Sequence, residues 1–218
     1  MDTELALIKL TGGREQQQQF LEMSHLYDGA IREIRTKLEI LDREFNIRYA
    51  SNPIHHIDSR LKSPRSIIEK LQRKGWPVSV ESAEEHLNDI AGVRSVCNYI
   101  DDIYRLANML VRQQDLELVC QKDYIRKPKP NGYRSLHLVL RVTVFLSSHT
   151  ELVPVEVQIR TIAMNFWASL EHQLRYKSDV EATAPLKDRL QRCAEQSAAL
   201  DVEMQSIYRE MRLLSENG

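Results

Sequence analysis

The sequence predicts an α+β fold, a mixed β-sheet flanked by helices with one long helix towards each end of the chain. Three observations predict it. An apolar seam of helical period runs near the start, a second runs near the end, and the stretch between them changes to a period of two.

From Phe20, the residues Tyr27, Ile31, Ile34, Leu38, Leu41 and Phe45 recur at steps of three and four, the seam of a long amphipathic helix. Gln16–Gln19 reads as its exposed start, and Ser51-Asn52-Pro53 breaks it. Ser63 suits the N-cap of a second helix, Pro64 its first turn and Gly75 its end. Strands are expected near Ala91–Asn98 and Glu117–Lys122, with a helix between them. Leu136, Leu138, Leu140, Val142 and Val144 then form a stripe of period two, and Val153, Val155, Val157 and Ile159 form another. Thr161 caps a helix expected to turn Phe166, Trp167, Leu170 and Leu174 to the core. Leu186, Leu190, Cys193, Ser197, Leu200, Met204, Ile207, Met211 and Leu214 finally fall on heptad a and d positions. The predicted order is helix, helix, strand, helix, strand, strand, strand, helix, helix. Either terminal seam can cover the chain's own core or lend part of itself to a subunit interface, and the sequence leaves both open.

A chain of 218 residues fits one domain, with a core over about 52–180 and helical extensions over 15–50 and 185–215. The 30 Lys and Arg nearly cancel the 31 Asp and Glu, so no overall field draws it to nucleic acid or anionic membrane, and anion binding must come from local clusters. Cys97, Cys120 and Cys193 are scattered without a C-x-x-C pair and read as reduced thiols. No apolar run approaches the roughly 20 residues of a membrane helix, and Met1 to Lys9 lacks the layout of a signal peptide. A soluble cytoplasmic protein without a membrane partner is the expectation.

Several constellations carry candidate chemistry. Arg60-Leu61-Lys62-Ser63-Pro64-Arg65-Ser66 crowds three cations onto a helix N-terminus, against the helix dipole unless a polyphosphate binds there. With Lys70, Arg73 and Lys74 the same run also reads as a solvated basic face. Glu156, Gln158 and Arg160 point the same way from one strand. Asp89, in Asn88-Asp89-Ile90-Ala91-Gly92-Val93-Arg94, stands at the entry of another strand with Arg94 five residues on. Two carboxylates from separate strands can hold Mg²⁺ and leave positions for phosphate oxygens, as metal-assisted phosphoryl-type transfer requires. Each alone also reads as a salt-bridged or surface acid. The loop from Asp123 to His137 sets cations around the Asn131-Gly132 turn and beside Tyr133, a mixture that suits a nucleotide; Tyr133 equally reads as a loop anchor. Asn165, Glu171 and His172 lie on the margins of the Thr161 helix, and His55-His56 reads as ordinary surface.

Taken together, RLKSP with Ser66, NDIAGVR, the loop ending GYRSLH and VEVQIRTIAMNFWASLEHQLRYK resemble the synthetase domain of the RelA/SpoT homologue superfamily, in family order from about Arg60 to Lys177. Within it the chain is most similar to the compact small alarmone synthetases of the RelQ type. The resemblance implies ATP:GTP/GDP 3′-pyrophosphokinase activity, yielding AMP and ppGpp or pppGpp, the alarmones of the stringent response, on a nucleotidyltransferase-like mixed sheet. It implies that Arg60 and Arg94 sandwich the adenine, that Lys62 and Ser66 lie near the ATP phosphates, and that Tyr133 stacks on the guanine with Lys129 near phosphates. Asp89 and Glu156 would bind Mg²⁺, with Glu156 activating the acceptor 3′-hydroxyl. His137, Gln158, Asn165 and Glu171 match positions that line or support the guanine-nucleotide site.

Leu136 departs from the second aromatic residue that many relatives carry in the GYRS-x-H string, and Pro128 and Pro130 stiffen the loop that bears Lys129. The histidine-aspartate motifs of the superfamily's hydrolase domain are absent and no regulatory extension follows the last helix, so synthesis without hydrolysis is expected. The resemblance also implies a homotetramer, with regulation by (p)ppGpp or single-stranded RNA. Two other readings stay open. One is a relative that transfers pyrophosphate to a tRNA 3′ end, against which the near-neutral charge argues. The other is a catalytically dead nucleotide-sensing or RNA-binding module, which has no need of both Asp89 and Glu156.

Overall fold

The computed structural model describes residues 14–49, 52–177 and 183–216. The chain runs α1 (Arg14–Tyr49), β1 (Ile54–Leu61), α2 (Pro64–Lys74), α3 (Val80–His86), β2 (Ala91–Cys97), α4 (Ile100–Val111), β3 (Leu116–Asp123), β4 (Leu136–Phe145), β5 (Thr150–Thr161), α5 (Ile162–Lys177) and α6 (Ala184–Glu216). The five strands form one mixed sheet in the order β1-β2-β5-β4-β3, in which β2 and β5 run parallel and every other pair antiparallel. This is the α+β architecture that the two periodicities predict.

One face of the sheet is the core. Leu136, Leu138, Leu140 and Val142 from β4 interleave with Val153, Val155, Val157 and Ile159 from β5 and Ala91, Val93 and Cys97 from β2, all buried. Helix α1 lies across β1, β2, β5 and β4 and buries its predicted seam there, Tyr27, Ile31, Ile34, Leu38 and Phe45. Each such side chain is worth about 1.5–3 kcal/mol, so the packed face rather than the polar remainder holds this helix. Ile103, Leu106 and Leu110 of α4 complete the layer.

Helix α2 forms as its sequence signals require. Ser63 accepts a hydrogen bond from the Ser66 N–H, Pro64 occupies the first turn, and Gly75, at φ 71°, donates its N–H to Gln72 O. Two elements carry no such signal. β1 is an edge strand, mostly exposed and interrupted by a register shift, so no apolar alternation betrays it. α3, at seven residues, is too short to show a period.

The last two helices correct the expected packing. Trp167 is buried on α5, but Phe166, Leu170 and Leu174 are 62%, 44% and 57% exposed; with Ile162 they form a straight outer stripe at a spacing of four. The reason is that α5 packs on α6 and the ends of β5 and β2 through the narrow face of Met164, Trp167 and Ala168. On α6, Leu200, Met204, Ile207, Met211 and Leu214 of the heptad seam also face outward, whereas Ala194, Asp201 and Gln205 turn inward. Thr161 explains part of this choice. Its hydroxyl caps α5 at the Met164 N–H and donates to Asp201, so a polar residue, not the seam, sits where α6 meets the fold.

Candidate active site

The strand register assembles the site on the sheet face opposite the core. Residues directly paired across strands share a face. One row crosses all five strands as Arg60, Gly92, Glu156, Val139 and Cys120; the next crosses as Asp58, Arg94, Gln158, His137 and Lys122. Arg60, Arg94, His137, Glu156 and Gln158 are thus neighbours although they are spread over a hundred residues of sequence. Gly92 leaves the β2 side of Glu156 without a side chain; the three atoms nearest to a β-carbon there would all be Arg60's, at ordinary contact distances of 3.6–4.0 Å.

Asp89 stands in the turn that enters β2, where Lys62 donates its backbone N–H to Ile90 O. Its Oδ2 receives Lys62 Nζ at 2.9 Å and Lys70 Nζ at 2.7 Å. Burial raises the Asp89 carboxyl, but the two lysines outweigh it and hold the group below the usual carboxylate range. Lys70 is a residue that sequence reasoning left on the outer face of α2. Its signal was the spacing of four from Ser66, which sets both on the side of the helix that faces Asp89.

Glu156 lies at the centre of a closed ring of hydrogen bonds. Its Oε2 accepts from Gln158 Nε2 at 2.6 Å, and its Oε1 lies 3.3 Å from His137 Nδ1. His137 Nε2 meets the Tyr133 hydroxyl at 2.8 Å, and the buried Arg160 donates from Nη2 to both the Tyr133 oxygen and Gln158 Oε1. Burial raises the Glu156 carboxyl, while the hydrogen bond and charge of His137 and the Gln158 amide prevail and lower it; the Asp89 charge acts in the raising direction, so the two acids sense each other. Arg160 was read in the sequence only as the third member of the polar face of β5, with no role attached.

Tyr133 is held by a stapled loop. Gly132 N–H bonds Lys129 O, Lys129 N–H bonds Tyr133 O, Tyr133 N–H bonds the Asn131 side chain, and Arg134 reaches back to Ile125 O. The Tyr133 ring packs beside Trp167, Ala168 and Ala194, and Lys129 Nζ sits 4.8 Å from its centroid. Ser66 lies in the first turn of α2, beside the lysine pair. On α5, Glu171 accepts from Asn131 at 3.2 Å, which places it against the loop, and Asn165 Oδ1 is buried without a partner among the described residues. Arg60, Arg94, His137, Glu156 and Gln158 thus lie on this face, Lys62 and Asp89 in the connections that lead out of β1 and into β2, Ser66 on α2, and Lys129, Tyr133, Asn165 and Glu171 on the loop and helix α5.

A divalent cation fits the two acids. Asp89 Oδ1 is buried and unpartnered among the described residues, and the charge of Asp89 acts on Glu156 of β5. No cluster of three or more His, Cys, Asp or Glu able to hold a metal occurs among the described residues, so such an ion would complete its shell with water and phosphate oxygens. Among the described residues no helix is long and apolar enough to cross a membrane.

Residues 59–181 match the model of the region found in RelA / SpoT proteins. The chain is 46% identical over 186 residues to the GTP pyrophosphokinase YwaC of Bacillus subtilis, covering 85% of this chain and 89% of that one, and 39% identical to the GTP pyrophosphokinase YjbM of the same organism, covering 85% and 87%. The crystal structure of small alarmone synthetase 1 from Bacillus subtilis bound to its product pppGpp superposes with a TM-score of 0.82 at 38% identity, over 88% of this chain and 97% of that one. The chain belongs to the RelA/SpoT family.

Proposed function

We infer that this protein is a GTP pyrophosphokinase that acts as one synthetase unit and transfers pyrophosphate from ATP to the 3′-hydroxyl of GDP or GTP. The observation that carries the reading is the pair Asp89 and Glu156, close enough that the charge of one acts on the other, with a lysine pair on Asp89 and Tyr133 linked through His137 to Glu156. A polyphosphate has its cations there, a base its ring, and the acceptor hydroxyl its carboxylate.

The reaction joins two nucleotides, so most of the task is to hold them with the reacting atoms in line. Arg60 and Arg94 clasp the adenine from neighbouring strands, and Lys62, Lys70 and Ser66 take the ATP phosphates. Tyr133 stacks on the guanine, Lys129 supplies charge beside it, and His137, Gln158, Asn165 and Glu171 shape the pocket. The 3′-oxygen attacks the β-phosphorus of ATP, its proton passes to Glu156, the α–β bridging bond breaks, and AMP leaves with the bridging oxygen. Mg²⁺ held by Asp89 and Glu156 would draw charge off the phosphate oxygens. The products are AMP and ppGpp or pppGpp.

The outward seams of α5 and α6 supply the surface for a homotetramer, and regulation by (p)ppGpp or single-stranded RNA would act on that assembly. A cytoplasmic location supplies both nucleotides. The deciding experiment incubates the protein with ATP, Mg²⁺ and, separately, GDP, GTP, GMP and tRNA, with products resolved by anion exchange. AMP with a guanosine 3′-pyrophosphate is expected; AMP with modified tRNA alone, or no AMP, overturns the reading.

A further inference from the structure

We propose that Arg160 is a positioning residue that ties the base-stacking ring of Tyr133 to the carboxylate of Glu156, through the Tyr133 hydroxyl and His137 on one side and the Gln158 amide on the other. The proposal rests on the reading that Tyr133 holds the guanine base and Glu156 serves the acceptor hydroxyl.

Arg160 is only 5% exposed, and among the described residues no carboxylate lies within ion-pair distance of it. A buried guanidinium held without a carboxylate is costly unless its donors find partners. Three of its five N–H donors are spent on neutral groups: Nε donates to the Ser135 hydroxyl at 3.3 Å, and Nη2 donates to Tyr133 Oη and, at 2.7 Å, to Gln158 Oε1.

Direction then follows from chemistry. A guanidinium donates and never accepts, so each group it touches must spend its own hydrogen elsewhere. In the neutral His137 that carries its hydrogen on Nδ1, the Tyr133 hydroxyl gives its hydrogen to Nε2 and Nδ1–H donates to Glu156 Oε1. Gln158, accepting at Oε1, donates from Nε2 to Glu156 Oε2. Two chains of donors leave one nitrogen and arrive on the two oxygens of one carboxylate. Two fixed oxygens set the plane of the group and aim its remaining lone pairs into the cleft. The aromatic ring that receives the base belongs to the same chain, so base and carboxylate are registered to each other.

The test separates the ring of Tyr133 from its hydroxyl. Tyr133→Phe keeps the stacking face and removes one link, so kcat should fall about tenfold while the KM for GDP stays within about twofold. Tyr133→Leu removes the face and should raise that KM at least about tenfold. Arg160→Lys keeps the charge without the two-way donor; its kcat should fall as in Tyr133→Phe, and the double variant Tyr133→Phe with Arg160→Lys should fall less than the product of the two, because both cut one chain. Wild-type kcat in Tyr133→Phe overturns the proposal, as does strict multiplicativity in the double variant. An unchanged KM in Tyr133→Leu instead overturns the base-stacking reading itself, so the two failures are told apart.

Discussion

Gly132 sits so close to Ala194 that a β-carbon on the glycine would lie 2.5 Å from the alanine Cβ, and its φ of +88° is one that side chains rarely adopt. The contact joins the Tyr133 loop to α6. Gly132→Ala should therefore cost about 1–3 kcal/mol and raise the acceptor KM, through overpacking and backbone strain together. Adding Ala194→Gly removes the steric part alone. Thermal unfolding of the two single variants and the double variant should show partial recovery in the double; no recovery would mean that the strain at Gly132, not the contact, sets the cost.

The lysine pair on Asp89 makes a second prediction. Lys70→Met leaves Lys62 as the only partner and should raise the KM for ATP about tenfold, the scale of one charge-assisted hydrogen bond. It also changes acid stability. A carboxyl lowered in the fold contributes stability above the ordinary carboxylate range and loses it as pH falls through its own pKa. The variant should therefore be less stable than the parent at neutral pH, with the gap closing in acid. A gap that widened in acid would contradict the assigned shift.

Asp102 titrates the other way. Burial pushes its carboxyl up from 3.8 to about 6, against the pull of Arg105. Such a group favours the fold below its unfolded pKa, and that contribution is lost as pH rises through about 6. Asp102→Asn should unfold at higher temperature than the parent at pH 7.5, by roughly 1–2 kcal/mol, with no advantage near pH 4. Calorimetry across that range measures it.

Glu156→Gln keeps the size of the side chain and one of the two acceptors that Gln158 and His137 meet. Removing a base of this kind should lower kcat by about 10²–10⁴ while the melting temperature and ATP binding stay close to the parent's. Calorimetric titration with a non-hydrolysable ATP analogue, beside the turnover assay, separates lost chemistry from lost binding. Near-normal turnover would sink the role given to Glu156.

Ile207 is 42% exposed on the outward seam of α6. If that seam is an interface, Ile207→Glu should release a smaller species in light scattering, with an unchanged circular dichroism spectrum, because the side chain lies outside the buried core. An unaltered mass would place the interface elsewhere.

Much of this was legible from residue order. The seam of α1, the caps of α2 and the alternations of β4 and β5 are local signals, written in spacing and turn chemistry, and the structure follows them. β1 was hidden because an edge strand in contact with solvent has no need of an apolar alternation. Phe166 departs from expectation, and the α6 seam leaves its partner open, because apolar periodicity marks a face without saying what that face meets. Asp89, Glu156 and Tyr133 could be picked out singly, and the family pattern joined them. Lys70 reads in the sequence as part of the outer face of α2, whereas Arg160 reads as a basic residue on the polar face of β5. Only the register and the tertiary contacts reveal that one neutralises Asp89 and the other feeds both sides of Glu156.

The alternation of β2, β4 and β5 has a consequence for how such a protein changes over time. Val155, Val157 and Ile159 carry the fold on one side of β5, while Glu156 and Gln158 carry the chemistry on the other. Substitutions at the second set scarcely touch the apolar burial that keeps the chain folded. The activity can be erased by drift at a handful of positions while an intact, stable scaffold persists, free to be reused as a nucleotide receptor that no longer turns its ligands over.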